Sequence, residues 1–442
     1  MRATRIPAGI EPRSFWALVL LILGTCPLAR AQDSKPQDPL HREERWPSGA
    51  IKARWRVDDQ GHKHGAALSW HENGQLQERA WFNANALDGL RELYWPSGKL
   101  KLSEFQKAGV PDGRTTERSE DGTHEVRFPF VKGKLHGRVE VADKGKVTST
   151  QEWKDGVLAT LDGFLAHPRP LDTIATGLAT IYGRDNPTGL GVVDTPDGAL
   201  CVLKAYRFLC EVPWSDLELD PHMSAHAAAT ASLCKRLGRL DHTPANPGMP
   251  ELDYKFAFTG TSSSNLSVGT NLPGSVDSYM DDSDPSNIER VGHRRWCLNP
   301  ALKKTGFGKD GAFSAMWSFD ESRTRVPDFE YVCYPPRGFT PVRYFGPGHA
   351  FSVHLNPNKF RSPDITAIDI AVTPLDERYL RAGPALPLEN ERAHGSGAGI
   401  PYCLIFRPRG LEVAHGKRYL VEIRMNKEKA ARQNLRWLVE FT

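Results

Sequence analysis

Glycine recurs near every 24 residues in two interleaved series: Gly49, Gly74, Gly98, Gly122 and Gly145, and Gly65, Gly89, Gly113 and Gly137. A fixed period in this range marks a repeat architecture, in which one supersecondary unit is copied and stacked on its neighbours. The first series sits in "WPSGAI", "HENGQL", "WPSGKL" and "SEDGTH". The second sits in "HKHGAA", "ALDGLR", "VPDGRT" and "KLHGRV". Ser-Gly, Asn-Gly and Asp-Gly between short alternating runs are hairpin signals, because such turns need a positive φ that glycine adopts without steric cost. Each unit therefore reads as a β-hairpin. The first third of the chain is expected to be a scaffold or binding surface rather than the seat of an active site.

Trp46, Trp55, Trp70, Trp81, Tyr94, Trp95 and Phe105 fall beside the turns or on the strands, where they are expected to stack between neighbouring hairpins. This pattern resembles the MORN-type repeat in its bacterial variant. The resemblance covers residues 44–157 in about four and a half units and implies an antiparallel β-hairpin array.

Ahead of the repeats, Arg2, Arg5 and Arg13 precede the apolar run Phe15 to Leu23, followed by "PLARAQ". That order reads as a signal peptide over residues 1–31, cleaved before Gln32 after the small residues Ala29 and Ala31. The run is too short to span a bilayer, and Thr25 and Pro27 around Cys26 are poor neighbours for lipidation. The mature chain is expected to be secreted or periplasmic and not transmembrane. Its formal charge of +4 falls close to neutral once the arginine-rich leader is removed, which gives nucleic acid no basic surface. Six cysteines remain, Cys201, Cys210, Cys234, Cys297, Cys333 and Cys403. In an exported protein an even number suggests disulfides, with the pairing left open. Cys201 and Cys210 cannot pair if one helix carries both, since nine residues at the helical rise span roughly 13 Å. The absence of any CxxC argues against a structural zinc site.

Residues 158–197 read as a connector rich in Pro and Gly with one short helix at Leu171 to Tyr182. Beyond it the apolar period changes from two to about 3.6. Asp220 reads as an N-cap, Pro221 as the first helical position and Gly238 as the stop, with Met223, Ala227, Ala231, Cys234 and Leu237 on one face. The ordered strings "LKAYR", "LDPHMSAHAAATASL", "LDHTP", "SSNLS" and "VGHRRWCLNPALKKTGFG" resemble the motifs of the CAP superfamily (cysteine-rich secretory proteins, antigen 5, pathogenesis-related proteins). The resemblance covers about 120 residues within 198–322. It implies a three-layer α-β-α sandwich with a groove lined by two histidines and two acids.

Carried over by position, His242 and His293 match the two histidines of that groove. Ser264, beside Asn265, stands where the family has its first glutamate. Val291 occupies the position of the second acid, with Glu289 two residues off register in "DDSDPSNIE". Two readings stay open for the pair: the histidines hold the groove by hydrogen bonds, or they bind a divalent metal such as zinc weakly, since two imidazoles lack a third ligand. No catalytic residue is assigned. "GFGKDG" at Gly306 to Gly311 satisfies GxGxxG in letters, but it leads into the strand-like "AFSAMWSF" and reads as a hairpin. His222 and His226, four apart on a helix, lack the Glu of HExxH and read as surface or packing.

From about Arg325 five runs, "FSVHL", "AIDIAV", "PYCLIFRP", "KRYLVEIRM" and "LRWLVEF", predict a C-terminal β-sandwich over residues 325–442. The expected architecture is a multidomain α+β protein: hairpin array, CAP-type sandwich, β-sandwich. The expected function is non-catalytic binding or adhesion, with repeat sheet and groove contacting a protein, glycan or lipid of the envelope or exterior. The alternative is a metal-dependent hydrolase or peptidase using the groove. A purely structural surface protein is a third reading.

Overall fold

The computed structural model describes residues 40–183, 189, 191–425 and 434–442; the leader, Cys26 and the cleavage point at Gln32 lie outside them. The fold is mostly β. The repeats form one antiparallel sheet of 15 strands, whose main path runs in chain order from His41–Arg45 to Phe164–Leu165. The sheet therefore continues past residue 157. The first glycine series closes the turns at φ between 77° and 88°. The second series also has positive φ, from 83° to 133°, and two of its members carry a further constraint: a Cβ on Gly89 would lie 3.2 Å from the Cβ of Trp81, and one on Gly113 the same distance from that of Phe105. At those two positions the bare glycine makes room for a bulky ring on the adjacent strand.

The aromatic residues join hairpins by a route the pattern did not predict. Trp46 Nε1 donates to the carbonyl of Trp70 at 3.3 Å, and Trp95 Nε1 to that of Arg118 at 3.2 Å. The Lys63 ammonium rests 4.8 Å from the centre of the Trp55 ring, and that of Lys101 4.4 Å from Trp95. Neighbouring units are thus tied by indole-to-carbonyl bonds 23 or 24 positions apart, while the cation–π contacts fix each ring within its own hairpin.

Among the described residues six α-helices follow the array. Helix α1 (Leu171–Tyr182) has the bounds its sequence predicts. In α2 (Pro196–Leu209), Thr195 caps the first turn by accepting from Gly198 N. In α3 (Pro221–Leu237), the Asp220 carboxylate accepts from the amides of His222 and Met223, and Gly238 ends the helix at φ 66°. Helices α4 (Glu251–Ser263), α5 (Leu272–Asp281) and α6 (Gly292–Cys297) complete the set.

They surround a four-stranded sheet ordered Glu218–Leu219, Lys304–Asp310, Phe313–Trp317, Ser264–Val268. Strand alternation divides its faces. Phe307 and Met316 point into the core shared with α2 and α5, while Ala315 packs with Ala227 and Cys234 of α3. Gly306 and Gly308 face the α3 backbone so closely that a Cβ would lie 2.2 Å from Ser224 N and 2.0 Å from Ala228 N. The glycines of "GFGKDG" serve helix-on-sheet approach within a hairpin.

The last third builds two four-stranded sheets. One is ordered Tyr331–Tyr334, Phe351–Leu355, Tyr402–Pro408, Leu388–Gly395, the other Gly338–Thr340, Leu435–Phe441, Arg418–Met425, Ile368–Leu375. All five predicted strand runs are present. The helical part and these sheets share one apolar core, in which Leu203, Tyr206 and Tyr279 lie with Tyr334, Phe351, Phe406 and Trp437. A second core joins the end of the repeat sheet, at Phe128, Trp153 and Leu161, to Leu375, Leu420 and Leu438. Burying each such side chain contributes about 1.5–3 kcal/mol.

The expected disulfides do not form: all six cysteines are free, and five of them are buried. Each fills core volume as a small apolar residue, and burial pushes the thiols of Cys210, Cys297 and Cys403 up to about 12, which makes them poor nucleophiles. Cys201 lies within α2 and Cys210 at its C-terminal cap, so the exclusion of that pair on helical rise applies.

The α3 contact yields a stability test. Gly308→Ala is expected to cost about 3 kcal/mol, the upper end for overpacking, because its Cβ meets backbone that cannot move aside. Gly292→Ala, with open space around the added carbon, is expected to change stability by less than about 1 kcal/mol. Urea denaturation of both variants measures the difference.

Candidate functional site

Both histidines singled out in the sequence are tethered near the start of the strand Ser264–Val268. His242, in the loop after α3, bonds through Nδ1 to the carbonyl of Thr261 at 2.9 Å, and Thr261 Oγ1 donates back to the His242 carbonyl at 3.1 Å. Asn265 Nδ2 donates to the carbonyl of His293 at 3.1 Å, while its Oδ1 accepts from Ser318 Oγ at 3.3 Å. Tyr279 of α5 donates its hydroxyl to the carbonyl of Asn265 at 3.1 Å, and its ring lies 5.5 Å from that of His293. Ser264 is buried at the head of the strand, and its Oγ has no hydrogen-bond partner.

A buried carboxylate that the sequence did not reveal holds His293. Asp282, 2% exposed, holds His293 Nδ1 at 2.8 Å through Oδ1 and accepts from the amide of Arg294 at 3.3 Å through Oδ2. With Nδ1–H donating to the carboxylate, His293 keeps Nε2 for a ligand. Asp282 caps α5 in the left-handed region at φ 45°, which brings it back toward α6. The signal was the Asp pair in "YMDDSD", eleven positions ahead of His293 and read as the start of an acidic insertion.

Glu289 does not join this cluster. Its carboxylate accepts from Arg392 at 2.9 Å and its carbonyl bonds His394 at 2.6 Å, so it turns toward the C-terminal sheets. Among the described residues, no group of three or more His, Cys, Asp or Glu is arranged to hold a metal ion. His222 and His226 meet edge to face at 4.6 Å, and His226 stacks on Phe256 at 3.8 Å while its Nδ1 bonds the carbonyl of that residue. That is packing between α3 and α4.

The two arginines that follow His293 in "GHRRW" turn away from it. The fully buried Arg294 reaches the carbonyls of Met280 at 2.7 Å and Ala350 at 2.8 Å, and the hydroxyl of Ser352 at 3.1 Å. Arg295 donates to the carbonyls of Ser396, Ile400 and Pro401. Both therefore fasten α6 to the C-terminal sheets.

A second concavity lies along the junction of the repeat sheet with the loop 376–381. One cavity of about 440 Å³ is lined by Leu93, Trp95, Lys101, Ser119 and Arg378 among others. A second of about 380 Å³ continues it past His124 and Leu380 to Asp143, Thr148 and Tyr379. The loop is locked down at both sides: Gln151 Nε2 donates to the carbonyl of Tyr379 at 2.9 Å, and Arg378 pairs with Glu117 at 2.8 Å. Tyr379 and His167 both donate to the buried Glu440, at 2.7 and 2.9 Å. Those bonds offset the burial that would raise its carboxyl and hold it below the usual carboxylate range.

No protein-family model matches the chain, and no curated protein matches its sequence. Among solved structures the chain is similar to a cysteine-rich secretory protein from Staphylococcus aureus, at 10% identity over 60% of this chain and 82% of that one, with a TM-score of 0.17. At that TM-score the likeness carries no weight for fold or function. Among the described residues no helix is long and apolar enough to cross a membrane.

The wall behind the site is sensitive to acid. His349 lies 3.1 Å from the Tyr334 hydroxyl and 3.4 Å from Asp281; burial, aided by Arg294, depresses its imidazole to about 4 against the pull of Asp281 and Asp277. A histidine depressed in the fold contributes stability that is complete above its unfolded value and declines as pH falls toward the folded one. Between pH 7 and 5 the wild type is expected to lose about 2 kcal/mol more than His349→Gln. Urea denaturation at the two pH values measures this, and equal losses would contradict it.

Proposed function

We propose that this chain is an exported binding protein. Its repeat sheet and CAP-like groove would contact an envelope or extracellular protein, glycan or lipid, in a secreted or periplasmic setting. The layering of helices on both faces of the small sheet supports the CAP-type α-β-α reading, and the 24-residue hairpin ladder supports the MORN-type one. The observation that carries the proposal is the furrow at the junction: the loop 376–381 is fixed to the repeat sheet by Gln151 and Glu117, yet leaves two joined cavities open beside it. Pre-formed concavities with an apolar floor and a few fixed polar groups are the usual form of a ligand site. A second reading, a hydrolase in the groove, draws support from the Asp282–His293 pair, which orients an imidazole as a general base requires.

The test fills the furrow. Thr148 is exposed, lies on a strand and lines the cavity, so Thr148→Trp occupies the space without disturbing the interior. Saturable binding by the wild type on a panel of immobilised glycans, lipids and secreted proteins is expected to fall at least about tenfold in this variant. Binding that persists unchanged would place the site elsewhere. Product release from a peptide library, lost in Asp282→Asn, would replace the proposal with the hydrolase.

A further inference from the structure

The walls of the furrow repeat with the array. Leu93, Glu117 and Val141 line it at steps of 24 positions, as do Trp95, Ser119 and Asp143, and likewise His124 and Thr148. The furrow thus runs across the strands, along the axis of stacking. Each unit adds two long strands, so equivalent wall groups recur about every 10 Å. A surface of that kind matches a polymer with its own regular repeat.

The chemistry of the walls narrows the class. Because the furrow crosses the strands broadside, it offers side chains and no free sheet edge, so it lacks the backbone ladder by which an extended peptide is bound. It does offer hydroxyl, imidazole and carboxylate groups above the apolar floor of Leu102, Val126 and Leu161. Trp95 is held rigid by its bond to the Arg118 carbonyl, and its half-buried ring fixes the Lys101 ammonium against the furrow wall. The charge is unbalanced at this end. Arg378 is matched by Glu117 and Arg118 by Glu125, whereas Lys101 has no carboxylate partner among the described residues and its ammonium rests on the Trp95 ring.

We infer that the furrow binds an extended acidic polysaccharide, with a sugar carboxylate on the Lys101 ammonium that Trp95 holds in place, and successive hydroxyls met by Ser119, His124 and Thr148. This rests on the proposed binding role of the repeat sheet and names its ligand.

Titration calorimetry with oligogalacturonates of increasing length tests the inference. Affinity is expected to rise with length until the oligomer spans the furrow. Lys101→Glu, a change at an exposed side chain, is expected to weaken binding about tenfold while circular dichroism shows the native fold retained. A cello-oligosaccharide of equal length is expected to bind more weakly than the uronate. No binding of the uronates, equal binding by Lys101→Glu, or stronger binding of polyglutamate or of phosphatidylglycerol vesicles would overturn the inference. If one of those other ligands binds and Thr148→Trp abolishes it, the furrow remains a binding site and only the acidic-glycan assignment fails. If no ligand responds to Thr148→Trp, the binding role fails with it.

Discussion

Three guanidinium groups buried without a carboxylate hold the C-terminal two-thirds of the molecule together. Arg207 donates to the carbonyls of Pro213, Cys297, Asn299 and Leu302, and Arg294 and Arg295 do the same across the junction with the C-terminal sheets. Removing such a charge from water costs several kcal/mol. The cost is offset only because loop and helix-end carbonyls, which need donors of their own, converge on the planar fork of each side chain. Burial pushes Arg207 down to about 9, with Arg323 adding to the shift, so the group still carries its charge at neutral pH. A lysine could not serve, since one ammonium cannot reach four carbonyls in a fixed plane.

The consequence is that the helical part and the C-terminal sheets behave as one body. Their aromatic residues occupy a common core, and Arg343 adds a two-pronged pair to Asp277 of α5. The helix that carries His293 is therefore backed by a wall from another part of the chain. His293 takes its orientation from Asp282, and its neighbour Arg294 takes its own from Ala350 and Ser352. The position of the imidazole depends on the C-terminal sheets as much as on the helix that carries it.

What was legible in the sequence was what is decided locally. The turns at Gly74 and Gly98 follow from the sign of φ, and α1 and α3 follow from period, cap and stop signals within a few residues of each end. The C-terminal strands were readable from alternation alone. What escaped depends on pairs far apart in the chain. Asp282 reaches His293 only because a left-handed residue ends α5, Arg294 and Arg295 look like groove residues until their partners near 350 and 400 are known, and Glu289 is drawn off by Arg392. The furrow could not be read at all, since its two walls lie some 250 positions apart. The cysteines misled because an even count says nothing about distance.

The two ends of the hairpin array are unlike. Its last strands, with Trp153, Leu158 and Leu161, are sealed into an apolar core with Leu375, Leu420 and Leu438, which does the work that a terminal capping unit does in free-standing repeat proteins. Its first strand, with the sequence HREER, carries charge at almost every position. The array is thus a ruler anchored at its C-terminal end: a unit deleted from its middle would move every earlier hairpin by about 10 Å while the anchored ones keep their place.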